Sequence, residues 1–326
     1  DSYVDENGIK IIRLKIKGDR HLNYKFKRYV NLYSTIESEN PDIIFVHGCQ
    51  FMDIKVIVRY IQKHQNVKVF VDNHADFSNS ARNFLSKNIL HKIIWRYYAH
   101  SIEPYTTKFY GVLPARVDFL KDVYKLPKEK IDLLVMGIDD DIVEDIKQKQ
   151  TSIREKHGIE KDDFLIVTGG KIDNKKLQTL LLMEAVNEIN DPKVKLLVFG
   201  SVVPEHKNKF NELLSDNVIY VGWIESNKIY EYFNEADLIV FPGLHSVLWE
   251  QAVGLGKPCV FRYMEGFTHI DLGGNCKFIY EDSVKEIKLV INEILHNQEL
   301  YESMKNIAKN KGISEFSYRA IAKKSI

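Results

Sequence analysis

Short β-branched runs that alternate with longer helical patterns leave this 326-residue chain few folds to choose from. Strands that read as continuous apolar runs are buried on both faces, and a helix-length crossover between neighbours makes their sheet parallel. In the first half the runs are 9–16, 42–46, 67–72, 108–112 and 131–135, with helical patterns at 25–37, 53–65, 82–101 and 114–126 between them. After the acidic turn MGIDDDIVED (136–145) the alternation restarts with a helix at 146–157. Strands follow at 164–168, 195–199, 218–221, 238–241 and 259–261, and from Ser283 onward the pattern is wholly helical. A chain of this length exceeds one comfortable core and suits two domains of about 150 residues. The expectation is therefore an α/β protein with two doubly wound lobes: 1–145, 146–305, and a terminal segment 306–326 returning to the first lobe as a helix. The usual opening strand and glycine turn of such a lobe have no counterpart ahead of GIKIIRLKIK.

Composition excludes several classes. Lysine plus arginine (46) and aspartate plus glutamate (45) nearly cancel, so no global field draws the chain to nucleic acid, and any anion site must be local. Three cysteines, Cys49, Cys259 and Cys276, are odd in number and lack metal-ligand spacing, which favours reduced thiols in a cytoplasmic setting. No run reaches the ~20 apolar residues that span a bilayer, and Asp1-Ser2-Tyr3-Val4-Asp5 is unlike a signal peptide, so the protein reads as soluble. The stretch NILHKIIWRY (88–97) mixes Leu, Ile, Trp and Tyr with His, Lys and Arg. It admits a peripheral membrane contact, against the simpler reading of a helix packed on its own sheet.

In open α/β sheets ligands collect beyond the carboxyl ends of the strands. After 164–168 comes GGKIDNKK, where Gly169 and Gly170 allow close backbone approach to a bulky anion while Lys171, Lys175 and Lys176 bring charge. Cations at the positive end of a helix are unfavourable unless an anion sits between them, and a diphosphate would supply it. Gly200 and Ser201 form a second corner, and main-chain groups at Trp223 and Ile224 suit the edge of a flat base. In FPGLHSVLWEQAVGLGKPCV (241–260), Glu250 lies one position beyond the residue that would close a capping box on Ser246, so capping does not explain it. A carboxylate there can accept from two ribose hydroxyls. In the first half, His47 and His74 follow strands directly and can donate to a phosphate or sugar, with Asp72 or Asp76 orienting them. Their spacing gives no positive sign of a metal.

Taken together these loops resemble the family 4 glycosyltransferases, retaining enzymes of the two-lobed GT-B fold, best from 154 to about 279. Gly170-Lys171 stands where that family has Gly-Arg, and Lys176 falls where its lysine is expected. VIYVGWIESNKIYEYFNEADLIVFPG is similar to the family's base loop, helix and strand, GKPCV fits, and MGID stands for NGVD. The first of the family's two glutamates is absent and Gln251 occupies the ordinary register of the second. We assign the ribose role to Glu250, with His245 and Ser246 in the place of the lost acid. His74 best matches the family's acceptor-lobe histidine; His47 is second. The resemblance implies two Rossmann-like lobes facing a central cleft, with Lys171 and Lys176 stabilising a departing nucleoside diphosphate. It implies retaining, metal-independent hexosyl transfer without a cofactor, from a UDP-linked donor to a glycan or lipid-linked saccharide. The setting would be bacterial surface polysaccharide synthesis, in the cytoplasm or at the inner face of the membrane. A sugar-nucleotide 2-epimerase and a non-catalytic partner subunit are the alternatives.

Overall fold

The computed structural model describes residues 1–18, 26–148 and 152–326. The chain divides into two compact units, Asp1–Val135 with Ser325–Ile326, and Met136–Lys324. The division falls ahead of the boundary expected after residue 145, because the helix Asp140–Gln148 packs on the helix Ile229–Glu235 of the second unit.

The expected strand 9–16 is not part of the first unit's main sheet. Within it Lys10–Ile12 (β2) is a strand paired antiparallel with Ser2–Val4 (β1), and the pair is mostly exposed. The main sheet is four-stranded and parallel, of β3 (Ile43–His47), β4 (Lys68–Asn73), β5 (Lys108–Gly111) and β6 (Ile131–Leu133), in that order. The run VFVDN of β4 is buried throughout, as a central parallel strand demands. The helix expected at 25–37 covers Leu32–Glu39, and its first residue lies outside the described residues. The expected helix 82–101 begins at Ser86, runs to Trp95 as a π-helix, with the Arg96 amide reaching His91 O, and continues as an α-helix to Ile102. Its inward face carries His91, Trp95, Ala99 and Ile102, packed with Phe109, Phe119 and Tyr124.

The second unit is built on six parallel strands: β7 (Phe164–Gly169), β8 (Val194–Phe199), β9 (Val218–Gly222), β10 (Leu238–Phe241), β11 (Cys259–Arg262) and β12 (Cys276–Ile279). Across the sheet they follow the order β12-β11-β10-β7-β8-β9. The strand β12 was not anticipated, since its lysine and shortness hide it. The pattern at 146–157 resolves into Asp140–Gln148 and Ile153–Lys156. Arg154 on the latter bonds Asp237 Oδ2 at 2.7 Å and the carbonyls of Glu160, Asp163 and Glu235, fixing the start of β7. The helix Gln298–Phe316 crosses the helix Leu248–Gly254 so closely that a methyl on Gly312 would lie 2.1 Å from Val253 O. Beyond it, Ile138 N donates to Phe316 O (2.8 Å) and Tyr318 N to Ile138 O (3.1 Å). Asp140 receives Ser317 Oγ and the Arg319 amide. The helix Tyr318–Lys324 belongs to this unit, and Ser325–Ile326 group with the first. All three cysteines are free and buried. Among the described residues no helix is long and apolar enough to cross a membrane.

Candidate functional site

Three loops at the carboxyl ends of the adjacent strands β10, β7 and β8 meet in one corner of the second unit. Gly170 (φ +120°) leaves β7 and Gly200 (φ +117°) leaves β8, both in conformations open to glycine alone. A methyl on Gly200 would fall 1.9 Å from Gly170 O, so the two turns touch main chain to main chain. Gly170 N donates to Phe199 O (3.0 Å) and Gly200 N to Gly222 O (2.7 Å), while Tyr220 hydroxyl donates to Gly200 O (2.7 Å). A methyl on Gly170 would stand 3.9 Å from Lys176 Nζ and 4.0 Å from Leu248 Cδ1, which puts the lysine beside the bare backbone of the turn. A methyl on Gly243, after β10, would lie 3.8 Å from Lys176 Cα.

The two lysines differ. Lys176 is half-buried, and burial lowers its pKa below the ordinary lysine value while Asp173 pulls the other way. Lys171 is mostly exposed, its ammonium 3.6 Å from Asp173 Oδ2. An ammonium stripped of water beside an open glycine turn gains more from an arriving anion than a solvated one. Next to this corner Trp223 is 72% exposed on the turn after β9, with Ile224 half-buried behind it.

Glu250 is placed otherwise than the sequence suggested. The helix begins at Leu248 with Val247, not Ser246, at the cap and no side-chain cap bond. Glu250 points away from solvent and is 0% exposed. Its Oε1 accepts from His245 Nε2 (2.8 Å) and His269 Nε2 (2.9 Å). Burial alone would push its pKa up, but the two imidazole hydrogen bonds outweigh that and hold the carboxyl below its ordinary value. Oε1 is thus held by two histidines of its own unit, while Oε2 is buried without a partner among the described residues. His245 is turned inward with it, its side chain only 6% exposed, and Ser246 is half-buried at the turn. Sequence reasoning missed His269, which nothing in the local pattern marks because it reaches Glu250 from the short turn Thr268–Ile270.

In the first unit His47 ends β3 opposite Asp72 of β4 in register, and His74 follows two residues later on the same face. Asp72 Oδ2 lies 2.8 Å from His47 Nδ1 and 3.1 Å from His74 Nε2, with the rings 4.3 Å apart. His47 is exposed and His74 half-buried, so two imidazoles oriented by one buried carboxylate are offered for proton transfer or anion binding. Asp76 is not part of this group. It is buried, paired with Arg116 Nε at 3.0 Å and accepting from Ser78 and Asn79 amides, so it shapes the loop.

Both triads, His47–Asp72–His74 and His245–Glu250–His269, have the donor types of a zinc-class site within 4.8 Å. Ligating histidines usually orient their second nitrogen on a carboxylate or carbonyl, whereas His269 Nδ1 is buried without a partner among the described residues. The separations from each carboxylate oxygen to its two imidazoles, 2.8–3.1 Å, are hydrogen-bond lengths.

Residues 149–311 match the family model described as glycosyl transferases group 1. A Klebsiella pneumoniae relative, described as an uncharacterized 41.2 kDa protein in the cps region, is 24% identical over 162 residues, 47% of this chain and 43% of the relative. The match thus spans less than half of that protein. Among solved structures, a glycosyltransferase from Rickettsia africae ESF-5 superposes with a TM-score of 0.69 at 15% identity, covering 96% of this chain and 82% of that one. Anabaena Alr3699/HepE in complex with UDP gives 0.67 at 16% identity, over 90% and 79%. A putative UDP-N-acetylglucosamine 2-epimerase from Listeria monocytogenes gives 0.62 at 15% identity, over 92% and 80%. At these identities the likeness is one of fold: α/β, GT-B, with two Rossmann-like lobes.

Proposed function

Because this chain belongs to the glycosyl transferases group 1 family, we propose that it moves a hexose from a UDP-linked donor to a glycan or lipid-linked saccharide. We propose retention at the sugar and no metal or cofactor. The reading is carried by one observation: the half-buried Lys176 ammonium stands beside the open glycine turn where two strand ends touch. That corner offers a diphosphate a half-buried cation beside backbone that carries no side chain.

In the proposed reaction the bond from the anomeric carbon to the diphosphate oxygen breaks, and negative charge grows on the leaving group. Lys176, and at the rim Lys171, stabilise that charge, which is electrostatic preorganisation rather than covalent catalysis. An acceptor hydroxyl attacks the same face and passes its proton to the departing phosphate. His74, oriented by Asp72, is the first-unit candidate for contact with the sugar and phosphate, with His47 beside it. The relative's place in a cps region supports a role in bacterial surface polysaccharide synthesis, with the chain working on the cytoplasmic side of the membrane.

The test is a thermal-shift panel of UDP-, GDP- and CMP-sugars on the wild type and Lys176→Ala. UDP-sugars should raise Tm, and Lys176→Ala should lose most of that rise; in a transfer assay it should lose about 2–4 kcal/mol of transition-state stabilisation, or ~100-fold or more in turnover. An unchanged response in Lys176→Ala would refute the corner as the diphosphate site. The fold shared with a 2-epimerase keeps one other reading in play. Conversion of a UDP-sugar to its epimer without any acceptor would select it, and neither transfer nor hydrolysis would point to a non-catalytic partner subunit.

A further inference from the structure

The π-helix Ser86–Trp95 and the turn that continues it are apolar on two opposite sides, and the fold uses only one. His91, Trp95 and Ala99 face the core, while Leu85, Ile89, Ile93 and Tyr97, offset by two positions at the same spacing of four, face out. Ile93 is 62% exposed, Leu85 64% and neighbouring Phe84 75%, with Phe77 also exposed. A contiguous outward apolar stripe is unusual on a folded surface and marks an interaction site.

The charge on the stripe's own segment and on the helix packed against it is all of one sign. Residues 77–102 contain Arg82, Lys87, Lys92 and Arg96 and no aspartate or glutamate, and the packed helix Ile54–Lys63 adds Lys55, Arg59 and Lys63, again with no acid. Arg96 turns inward to Val123 O, but Lys87 lies 4.8 Å over the Phe77 ring and Lys55 4.5 Å over Tyr97, so the cations rim the apolar side chains. This local excess stands out in a chain whose net charge is only +1.

We propose that this face docks on an anionic phospholipid surface. Leu85, Ile89 and Ile93 enter the acyl boundary, Tyr97 sits at the headgroup level, and the lysines pair with lipid phosphates. A second copy of the chain is disfavoured as occupant, because a face-to-face pair would bring the same cations against one another. The surface belongs to the first unit and the proposed diphosphate corner to the second, so vesicle binding and donor binding succeed or fail separately.

The test is flotation of the full chain with phosphatidylcholine vesicles and with phosphatidylcholine containing about one-third phosphatidylglycerol. The wild type should float with the anionic vesicles only and be released by high salt. Leu85→Asn/Ile89→Asn/Ile93→Asn, and separately Lys87→Glu/Lys92→Glu, should each weaken binding about tenfold or more while keeping the wild-type circular dichroism. Wild-type protein that stays at the bottom with anionic vesicles, or triple-variant protein that floats as well as wild type, overturns the proposal. A concentration-dependent dimer that the triple substitution abolishes, without vesicle binding, would overturn it in favour of self-association. If the triple variant misfolds, Ile93→Asn and the lysine pair decide.

Discussion

Gly200→Ala is the sharpest probe of the corner on which the donor reading stands. The added methyl would sit 1.9 Å from Gly170 O and 2.6 Å from Gly170 C. Carbon and carbonyl oxygen ordinarily approach no closer than about 3.3 Å, so the two turns must part by about 1.4 Å. The substitution also places a side chain at φ +117°, a region costing about 1–3 kcal/mol for a non-glycine residue, and overpacking adds about 1–3 kcal/mol. A loss of about 2–6 kcal/mol follows. Gly158→Ala is the control: it has φ +65° and no atom within 4 Å of the added methyl, so it should lose about 1–2 kcal/mol. Urea unfolding of the two proteins gives the difference, and the UDP-dependent rise in Tm reports the site. Gly200→Ala should unfold at distinctly lower urea than Gly158→Ala and lose most of its UDP response. Equal midpoints with an unchanged UDP response would refute both the contact and its role.

Glu250→Gln should weaken a charge-assisted buried cluster and lower stability by about 1–3 kcal/mol in urea; loss of the UDP response without loss of stability would instead assign the carboxylate to the ribose. His91 is buried between Ser80 Oγ (2.9 Å) and Tyr124 hydroxyl (3.0 Å), and burial lowers its pKa from 6.5 to about 4. The folded state holds it neutral, so its stabilising contribution is complete above pH 6.5 and is lost as pH falls toward 4, by about 3 kcal/mol. Urea midpoints across that window should show a slope that His91→Gln flattens.

The buried strands were legible, because β4, β7, β8 and β10 are short, mostly apolar runs rich in β-branched residues and bounded by turns. The run at 9–16 carries Lys10, Arg13 and Lys15 among its apolar residues, and only Lys10–Ile12 of it forms a strand, in a mostly exposed antiparallel pair. The glycine turns and Lys176 were readable because close approach and charge after a strand are local properties. Glu250 was not, because its burial is decided by His269, nineteen residues away and unmarked by any periodicity. The orienting carboxylate of His74 was one of two candidates in VDNHAD; register against β3 selects Asp72, while Arg116, distant in sequence, claims Asp76.

The main-chain exchange between Ile138 and the Phe316–Tyr318 turn gives the second unit a clasp. Its entry and exit strands of chain are latched together, so peeling from either side must spring the same catch. A permuted gene that joined these neighbouring ends and opened instead at an outer turn would be expected to fold into the same six-stranded body. Two hydrogen bonds across the clasp make its ends natural places to cut this half out as a free-standing piece.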